Sequence, residues 1–564
     1  MICQETLLSE ENVRRTPFLH CTWVILLLIL LLAAFLRLFK LGQSPPGLYQ
    51  DEAVYAWNSY CLLKTGKDQV GVSWPIYYMR GLGCNYPTLY MYLVLPFQFI
   101  AGMNVYTTRL PGALGGILTV WLIYYVGKRL FNTETGLVAA CLLAIDPWHH
   151  QQTRWGHEVS VTPLLGLVPL ALMLWANMIP ATGENRPARP FVAVLAGVIT
   201  GICCYGYQPV RVFVPILLLF IGLLTLPQWW QSQKTRKRIL STVVFIITFT
   251  SLFGPLVWQY IFHPEGIGRH ALYQSSWVGS SNLSVAIKEI ASRYIQHFSP
   301  YFLFIQSDTL LSKISPSNES LFHLYMLLLM VAGLVTLFRK FKLSPSARVI
   351  LAFVLAYPIG DCQGWGQPLN TVRSSPGLCS LVLLAAVGTV NCINWLRKQN
   401  YMLALGIAVI FVLLVIGSSA RYFYRYYVEL PRTPGAYHFF HTDLVEACKW
   451  LKPRFDDFDA VFCTDKGMNM PYIITLAVLG YEPKQWFNEP REFTTLGEWD
   501  YYTRYGKMYF MYDKLFKPPE EQYLAGRVLL IIRPGEIDLP DPNKQIIRKI
   551  SRPDGTVTLW LCKP

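Results

Sequence analysis

Two adjacent carboxylates, Asp51 and Glu52, closely follow a 21-residue apolar run, "LHCTWVILLLILLLAAFLRLF". A carboxylate at a membrane surface can accept a proton from a hydroxyl group while that oxygen forms a new bond. The pair could instead only stabilise the first turn of a short helix, because acidic residues favour a helix N-terminus. A second acidic stretch further along the chain favours the chemical interpretation.

That second stretch is "AIDPWHHQQTRWGHE", residues 144–158, at the end of another apolar run. Its titratable and aromatic side chains are Asp146, Trp148, His149, His150, Arg154, His157 and Glu158. A loop this rich in ionisable groups at a membrane boundary is a candidate functional site. The alternative is an interfacial belt of aromatic and basic anchors. A belt explains Trp148 and Trp155, but it does not explain two carboxylates in the same loop.

The composition indicates a membrane protein. Of the 564 residues, 53% are hydrophobic and only 15% are charged, and the mean hydropathy is +0.32. About eleven stretches have the roughly 20 apolar residues that a membrane-spanning helix needs. The net charge of +15 reflects basic clusters in short loops, so we expect no nucleic-acid partner. The 13 cysteines show no metal-ligand spacing and are interpreted as small core residues.

Basic clusters recur in every second loop between the apolar runs, and the positive-inside rule places those loops in the cytoplasm. The other loops then lie outside, at residues 40–86, 146–158, 263–318 and 360–373. Residues 87–103 are apolar, but counting them as a crossing would reverse this pattern, so we expect a re-entrant or juxtamembrane helix there. About eleven crossings remain, with the N-terminus cytoplasmic and the C-terminus outside.

Residues 1–419 are therefore predicted to form the transmembrane domain, and residues 420–564 a small α/β domain on the outer face. The second segment contains a helical pattern in "DLVEACKWLKPRF" and strand patterns in "DAVFCTD" and "RVLLIIRPG". A closing hairpin is predicted in "IIRKISRPDGTVTLWLCK", with Asp554-Gly555 as its turn.

An ordered set of motifs carries a family resemblance. It consists of "PPGLYQDEA", "YPTLYMYL", "RLPGALGGILTVWLIYYVGKRL" and "DPWHHQQTRWGHE". Together they resemble the protein mannosyltransferase and aminoarabinose transferase superfamily, in particular its bacterial family 39-like members, which are membrane glycosyltransferases with the GT-C fold. The resemblance is strongest over residues 40–215 and looser to about residue 400. The tail is similar to the periplasmic domain of some bacterial members.

The resemblance implies an inverting transfer of a sugar, a hexose or pentose, from a polyprenyl-phosphate donor to an acceptor hydroxyl outside the cytoplasm. Asp51 occupies the position of the base that activates the acceptor. Glu52 would orient the acceptor or hold a cation, and Asp146 is the second external carboxylate of the family. The acceptor could be a protein, a lipid or a glycan.

The leaving phosphate needs its charge neutralised, and the planar fork of arginine pairs well with phosphate oxygens. The candidates are Arg154, Arg211 and Arg373, all at predicted outer helix ends; the alternative for each is an interfacial anchor. Arg109, which begins an apolar helix, is interpreted as structural.

Many relatives carry a charged residue before the "PPLY"-like motif, where this chain has Asn85 and Tyr86 in "GCNYPTLY". This departure weakens the case for a metal and suggests an altered phosphate contact through Tyr86.

The remaining candidates would bind the acceptor or the sugar: Asn85, Trp148, His149, His157 and Glu158. No metal ligands are assigned, and a divalent cation remains an alternative cofactor. A zinc site at the histidines is less favoured, because their spacing is not typical of metal ligands.

Two other functions remain open: a transporter or flippase of lipid-linked sugars, and a non-catalytic envelope assembly subunit. A transporter predicts charged residues in mid-span and internal repeats, which this sequence does not show. The short loops and the resemblance favour a bacterial inner membrane, with the C-terminal domain in the periplasm. The enzyme interpretation requires that Asp51, Glu52 and the cluster at 146–158 meet on one, non-cytoplasmic side, around a cavity open to lipid.

Overall fold

The computed structural model describes residues 21–179, 186–230, 235–263, 276–280, 282–305, 320–497, 499–511, 526–536 and 545–564. The predicted cytoplasmic N-terminus, with Arg14 and Arg15, lies outside these residues. So does much of the predicted loop 263–318.

Most of the described chain is helical. Within it, eight helical segments are long and apolar enough to cross a membrane: Cys21–Leu38, Val105–Leu130, Glu158–Trp175, Gln208–Thr225, Arg236–Phe262, Pro345–Cys362, Thr371–Gln399 and Tyr401–Arg432. Four shorter apolar helices accompany them: Leu89–Ala101, Thr133–Ile145, Pro190–Cys203 and Tyr325–Arg339. The chain is a multi-pass membrane protein, as predicted. The number of crossings, and the path of residues 87–103 through helix Leu89–Ala101, stay predictions.

Glycines allow the membrane helices to approach closely. A Cβ atom at Gly388 would lie 2.0 Å from the carbonyl oxygen of Leu329, and one at Gly112 would lie 2.4 Å from Ser160 Oγ. Lipid tails are as apolar as the helix surfaces, so the hydrophobic effect does not drive helices together within a membrane. Helix association then depends on close packing, which small residues allow. The helix Val105–Leu130 is fixed in this way against the segment that follows Arg154.

Short elements occupy the segments that are predicted to lie outside the membrane. The helix Gln50–Thr65, named the first external helix after its predicted side, is followed by an antiparallel hairpin of strands β1 (Met79–Gly81) and β2 (Cys84–Tyr86). Further helices in or beside the segments predicted to be external are Pro147–Gln152, Ser276–Gly279, Leu283–Gln296, Pro300–Phe304, Ile359–Cys362 and Thr371–Ser374, with a 3-10 turn at Glu158–Val161. The last of these helices begins the segment Thr371–Gln399.

The C-terminal region is a seven-stranded mixed sheet with helices, which confirms the predicted α/β domain. Its strands are β3 (Ala460–Thr464), β4 (Arg491–Leu496), β5 (Trp499–Tyr505), β6 (Met508–Met511), β7 (Val528–Ile532), β8 (Ile546–Ser551) and β9 (Val557–Cys562). The spatial order is β4-β5-β6-β3-β7-β9-β8. Strand β3 runs parallel to β6 and β7, and the other pairs are antiparallel.

The helices of this region are Pro434–Phe439, Thr442–Leu451, Pro471–Leu479 and Pro483–Asn488. The predicted hairpin is present as β8 and β9, with Gly555 at a φ of +86° in the turn. Such a φ favours glycine. The preceding helix, Tyr401–Tyr424, extends beyond residue 419, so the boundary at 419/420 follows the change of composition rather than the end of the helix.

Candidate active site

Asp51 stands in the first turn of the first external helix and is partly exposed. The hydroxyl of Tyr86, on strand β2, donates a hydrogen bond of 2.9 Å to Asp51 Oδ1. Burial raises the pKa of Asp51 to about 6; His157 opposes this rise, and Glu158 adds to it. A carboxyl group with this pKa is ionised at neutral pH and is a stronger base than an ordinary aspartate.

Glu52 is fully buried and has a different role from the one predicted. Its carboxylate accepts hydrogen bonds from Arg109 Nε at 2.7 Å and Arg109 Nη2 at 2.8 Å. It also accepts from the backbone N–H groups of Gly156 at 2.7 Å and Tyr49 at 3.0 Å. Burial alone would raise the pKa of Glu52, but Arg109 and these donors lower it below its usual value. Glu52 therefore holds the helix in place rather than orienting an acceptor or a cation.

Arg109 completes this arrangement, and its interpretation as structural agrees with its contacts. Besides Glu52, its guanidinium donates to the carbonyl oxygens of Leu41, Pro45 and Gly47, at 3.1, 2.8 and 3.2 Å. The Glu52–Arg109 pair therefore connects the first external helix, the segment before it and the helix Val105–Leu130. We refer to this pair with its backbone partners as the buried clamp.

His157 and Glu158 lie within electrostatic reach of Asp51. His157 Nδ1 lies 3.2 Å from Glu158 Oε2, and the imidazole stacks on Trp155 with ring centroids 5.1 Å apart. Burial would lower the pKa of His157, but the carboxylates of Glu158, Asp51 and Glu52 raise it above its usual value. The site therefore holds a mixed group of carboxylates and an imidazole that compete for protons.

Tyr207 connects this group to the loop 360–373. Burial raises the pKa of Tyr207; Arg373 opposes the rise, and Glu158, Asp361 and Asp51 add to it. Tyr207 therefore lies within electrostatic reach of the groups around both Asp51 and Arg373. The partly exposed Arg373 side chain has its Nη1 atom 3.9 Å from Asp361 Oδ1.

Asp361 is buried beneath Arg373 and is bound by Arg293 Nη2 at 2.8 Å and by the backbone N–H of Asn370 at 2.9 Å. Tyr207, Asp361 and Arg293 are not among the site residues predicted from the sequence. The signal that could have found Tyr207 and Asp361 is their position at the outer ends of predicted apolar runs. Arg293 lies within the long predicted external loop, which offers no such marker.

A cleft beside Tyr86 brings three predicted residues together. It is small, with a cavity volume of about 20 Å³, and is lined by Asn85, Tyr86 and Arg211, among others. Arg211 donates to the carbonyl oxygen of Cys204 at 3.0 Å and to the Tyr260 hydroxyl at 3.2 Å. The cleft wall therefore offers a guanidinium, an amide and a phenol close to Asp51.

The structure does not bring Asp146, Trp148 or His149 to this cleft, contrary to their predicted roles. Asp146 caps the short helix Pro147–Gln152 by accepting the N–H of His149 at 2.8 Å, and its residue surface is 1% exposed. Because of this burial, the pKa of Asp146 is raised to about 8. His149 Nδ1 lies 2.7 Å from Arg37 Nη2, and Trp148 packs against Phe322. The cap turns these side chains into the helix bundle.

Arg154 is likewise not a phosphate ligand in this structure. It is fully buried, and its guanidinium donates to the carbonyl oxygens of Leu36, Arg37, Phe39 and Ser44 at 2.7–3.2 Å. The last carbonyls of a helix have no partner within the helix, so a buried guanidinium can satisfy them. Arg154 therefore caps the end of the first membrane helix and stacks on Tyr427.

No group of three or more His, Cys, Asp or Glu side chains in the described ranges is arranged to hold a metal ion. The histidines of the second stretch have separate partners: Arg37 for His149, Tyr422 for His150 and Glu158 for His157. The divalent cation therefore stays an untested alternative.

Comparison with known families gives one match. Residues 85–258 match the model of the dolichyl-phosphate-mannose-protein mannosyltransferase family. This range includes Asn85, Tyr86, His157, Glu158, Tyr207 and Arg211. A comparison with curated proteins gave no match.

Solved structures of low identity share the architecture. An oligosaccharyltransferase from Archaeoglobus fulgidus, tethered to an acceptor peptide containing the NVT sequon, is 14% identical with a TM-score of 0.51, covering 97% of this chain and 74% of that chain. The same enzyme in complex with zinc and sulfate is 14% identical with a TM-score of 0.49. That match covers 81% of this chain, but this chain spans only 61% of the length of the oligosaccharyltransferase.

ArnT from Cupriavidus metallidurans, bound to undecaprenyl phosphate, is also 14% identical, with a TM-score of 0.49 and coverage of 81% of this chain and 84% of that chain. At 14% identity, the likeness to the oligosaccharyltransferase tethered to its acceptor peptide concerns the fold alone.

The buried clamp generates a prediction about stability. Replacing Glu52 by Gln removes the charge that compensates Arg109, and breaking a buried ion pair on one side costs about 3–5 kcal/mol. We therefore expect Glu52→Gln to lower the thermal unfolding temperature of the detergent-solubilised protein markedly. Glu429→Gln is the matched control, because the Glu429 carboxylate in the pair with Arg425 is exposed and exposed ion pairs contribute about 1 kcal/mol or less. Equal unfolding temperatures for both variants would contradict the clamp.

Proposed function

We propose that this chain is a member of the GT-C superfamily of protein mannosyltransferases and aminoarabinose transferases, and that it transfers a sugar from a polyprenyl-phosphate donor to an acceptor hydroxyl. The observation that carries the proposal is the exposure of the predicted catalytic carboxylates. Asp51 alone of the three is partly exposed, whereas Glu52 is 0% and Asp146 1% exposed. The matched family is named for a lipid-phosphate sugar donor, which supports this donor class.

Asp51 is the proposed general base. Its carboxylate takes the proton of the acceptor hydroxyl while the acceptor oxygen forms a bond to the anomeric carbon of the sugar. The bond from that carbon to the phosphate oxygen breaks on the opposite face, and the phosphate leaves with the electron pair. The configuration at the anomeric carbon is therefore inverted. The Tyr86 hydroxyl, 2.9 Å from Asp51 Oδ1, orients the carboxylate.

Arg373 is the proposed partner of the leaving phosphate, and Arg211 is a second candidate. Arg373 is partly exposed and has a carboxylate behind it at 3.9 Å, from Asp361. Developing negative charge on the leaving group is stabilised by a guanidinium that is already oriented before the reaction. Tyr207 is within electrostatic reach of both this arginine and Asp51, and we propose that the sugar binds beside it.

His157, Glu158 and Asn85 are the proposed contacts of the sugar or the acceptor. The imidazole and carboxylate of His157 and Glu158 lie beside Asp51, and Asn85 lines the adjoining cleft. Hydroxyl groups of a sugar need both donors and acceptors, which these side chains supply. Trp148 and His149 are not part of the proposal, because both are packed in the bundle.

The placement in the cell is part of the same proposal. A lipid-linked donor keeps its tail in the bilayer, so the site must lie at a membrane surface, as the outer helix ends do in the predicted threading. We place Asp51 and the C-terminal domain on the extracytoplasmic side of a bacterial inner membrane. The identity of the sugar and of the acceptor stays open.

Substitution of Asp51 tests the proposed base. Asp51→Asn keeps the side-chain shape but cannot accept the proton, and removal of a general base typically costs about 10²- to 10⁴-fold in rate. We expect that loss in transfer by the purified protein, measured with a radiolabelled polyprenyl-phosphate sugar, while donor binding is retained. Asp456→Asn, at a fully exposed carboxylate of the C-terminal domain, is the matched control. Full activity of Asp51→Asn would remove Asp51 from the mechanism.

The pH dependence of transfer gives a second test. Only the ionised carboxylate of Asp51 can accept a proton, and its pKa is raised to about 6. The rate should therefore be constant above this pKa and fall about tenfold per pH unit below it. The measurement is kcat/KM against pH in buffers of constant ionic strength, with unfolding monitored in parallel. A flat profile through pH 6 in folded protein would argue against Asp51 as the base.

A further inference from the structure

A second cavity lies in the C-terminal domain, at the carboxyl end of the parallel strands. Strand β3 has β6 on one side and β7 on the other, and both run parallel to it. Along the chain, β6 comes after β3 and pairs with one side of it, and β7 comes after β6 and pairs with the other side of β3. In open α/β sheets, ligands bind in the crevice outside the carboxyl ends of strands where the order reverses in this way.

The cavity is open to solvent and has a volume of about 380 Å³. Its polar lining includes Tyr437, His438, Asp443, Arg533, Arg552 and Thr558. These residues come from two helices, the end of β7, the β8–β9 turn and the start of β9. Convergence of polar side chains from five separate elements in one concave space is typical of a binding site. None of them belongs to the site around Asp51.

Arg533 is held rigidly at the end of β7. Its Nη1 donates to Asp443 Oδ2 and to the carbonyl oxygen of Thr558, both at 3.2 Å. Its Nε donates to the carbonyl oxygen of Lys466 at 2.7 Å. Its remaining amino group, Nη2, has no hydrogen bond to the described residues. A guanidinium fixed in this way loses little conformational entropy when it binds an oxyanion.

Arg552 faces the same cavity from the β8–β9 turn. Its Nη2 lies 3.4 Å from the half-exposed Asp554, while its Nε is buried and has no hydrogen-bond partner among the described residues. Each guanidinium therefore has one carboxylate neighbour, Asp443 for Arg533 and Asp554 for Arg552. The N–H groups that have no partner among the described residues, on Arg533 Nη2 and on the buried Arg552 Nε, can donate to an anionic ligand.

We infer that this cavity binds an anionic group, a carboxylate or a phosphate, on the acceptor that the Asp51 site glycosylates. The assignment to an acceptor rests on the proposed function; the binding of an anion does not. Arginine pairs with both groups through two parallel hydrogen bonds. The hydroxyl of Thr558 and the exposed imidazole of His438 supply further polar contacts for a saccharide or peptide that carries the charge.

The position of the cavity relative to Asp51 supports the link to the acceptor. Tyr437 and His438 line the cavity from the helix Pro434–Phe439. The last residue of that helix, Phe439, stacks on Tyr49 with ring centroids 4.6 Å apart and planes 7° from parallel. Tyr49 immediately precedes the first external helix, which carries Asp51. A molecule held in the cavity is therefore separated by a single short helix from the segment that presents Asp51.

The test measures binding to the full-length protein in nanodiscs by isothermal titration calorimetry. The probes are sodium glucuronate, inorganic phosphate and, as the neutral comparison, glucose. We expect glucuronate or phosphate to bind and glucose to bind at least about tenfold more weakly, since hydrogen bonds to charged groups are the stronger ones. Comparison of the affinities for glucuronate and phosphate shows whether the cavity prefers a carboxylate or a phosphate. No binding of either anion, or equal binding of glucose, would overturn the inference.

Arg552→Gln should weaken anion binding about tenfold or more. It is preferred over Arg533→Gln, which also breaks the contact with Asp443 and could disturb folding. The matched control is Arg527→Gln, because Arg527 precedes β7 at the opposite end of that strand and pairs with exposed Asp459. Equal affinities of these two variants would overturn the assignment to this cavity.

Asp51→Asn separates this inference from the proposed function. Anion binding should be unchanged in that variant, because Asp51 does not line the cavity. If anions bind and Asp51→Asn keeps full transfer activity, the proposed catalytic role fails while the cavity remains an anion site. If anions do not bind and Asp51→Asn loses activity, only the inference about the cavity fails.

Discussion

The buried pair of Glu52 and Arg109 is the interaction on which the arrangement of the site depends. Two opposite charges are removed from water here, which is costly, and the cost is offset only because nearly every polar atom of the pair has a partner. The partners explain why this pair matters for function. Glu52 is the chain neighbour of Asp51, and its backbone partner Gly156 is the chain neighbour of His157. By joining Glu52 to Gly156, the clamp therefore also holds their chain neighbours, Asp51 and His157, in the same part of the structure.

Charged residues at the outer helix ends divide into two groups by burial. Arg154 and Arg37 lie inside the bundle and donate to carbonyl groups at helix ends, which would otherwise be buried without partners. Asp51, Arg373 and Arg211 lie at partly exposed positions around Tyr86 and Tyr207. The first group stabilises the scaffold, and the second group can meet a ligand. The anion cavity of the C-terminal domain repeats this division, with Asp443 buried and Arg552 partly exposed.

The sequence predicted the architecture well because the signals for it are local. Apolar runs of sufficient length indicate membrane helices, and an Asp-Gly pair between alternating residues indicates a hairpin. The site is less accessible to such prediction. His157 and Glu158 lie within electrostatic reach of Asp51, Asp146, His149 and Arg154 are buried in the bundle, and the role of Arg373 stays a prediction. Position at a helix end is visible in the sequence, whereas the direction of a side chain depends on a cap such as that of Asp146. Tyr207 and Asp361 belong to distant segments that only the fold brings together.

The central claim is that Asp51 and Arg373 face one bound donor. A cryo-electron microscopy structure of the protein with a non-hydrolysable polyprenyl-phosphate sugar in nanodiscs tests it most directly. The account predicts the phosphate within hydrogen-bonding distance of the Arg373 guanidinium, the lipid tail in the outer leaflet, and the anomeric carbon between that phosphate and the Asp51 carboxylate. A donor phosphate bound at the opposite leaflet, or out of reach of Arg373 with packed side chains between the sugar and Asp51, would contradict it.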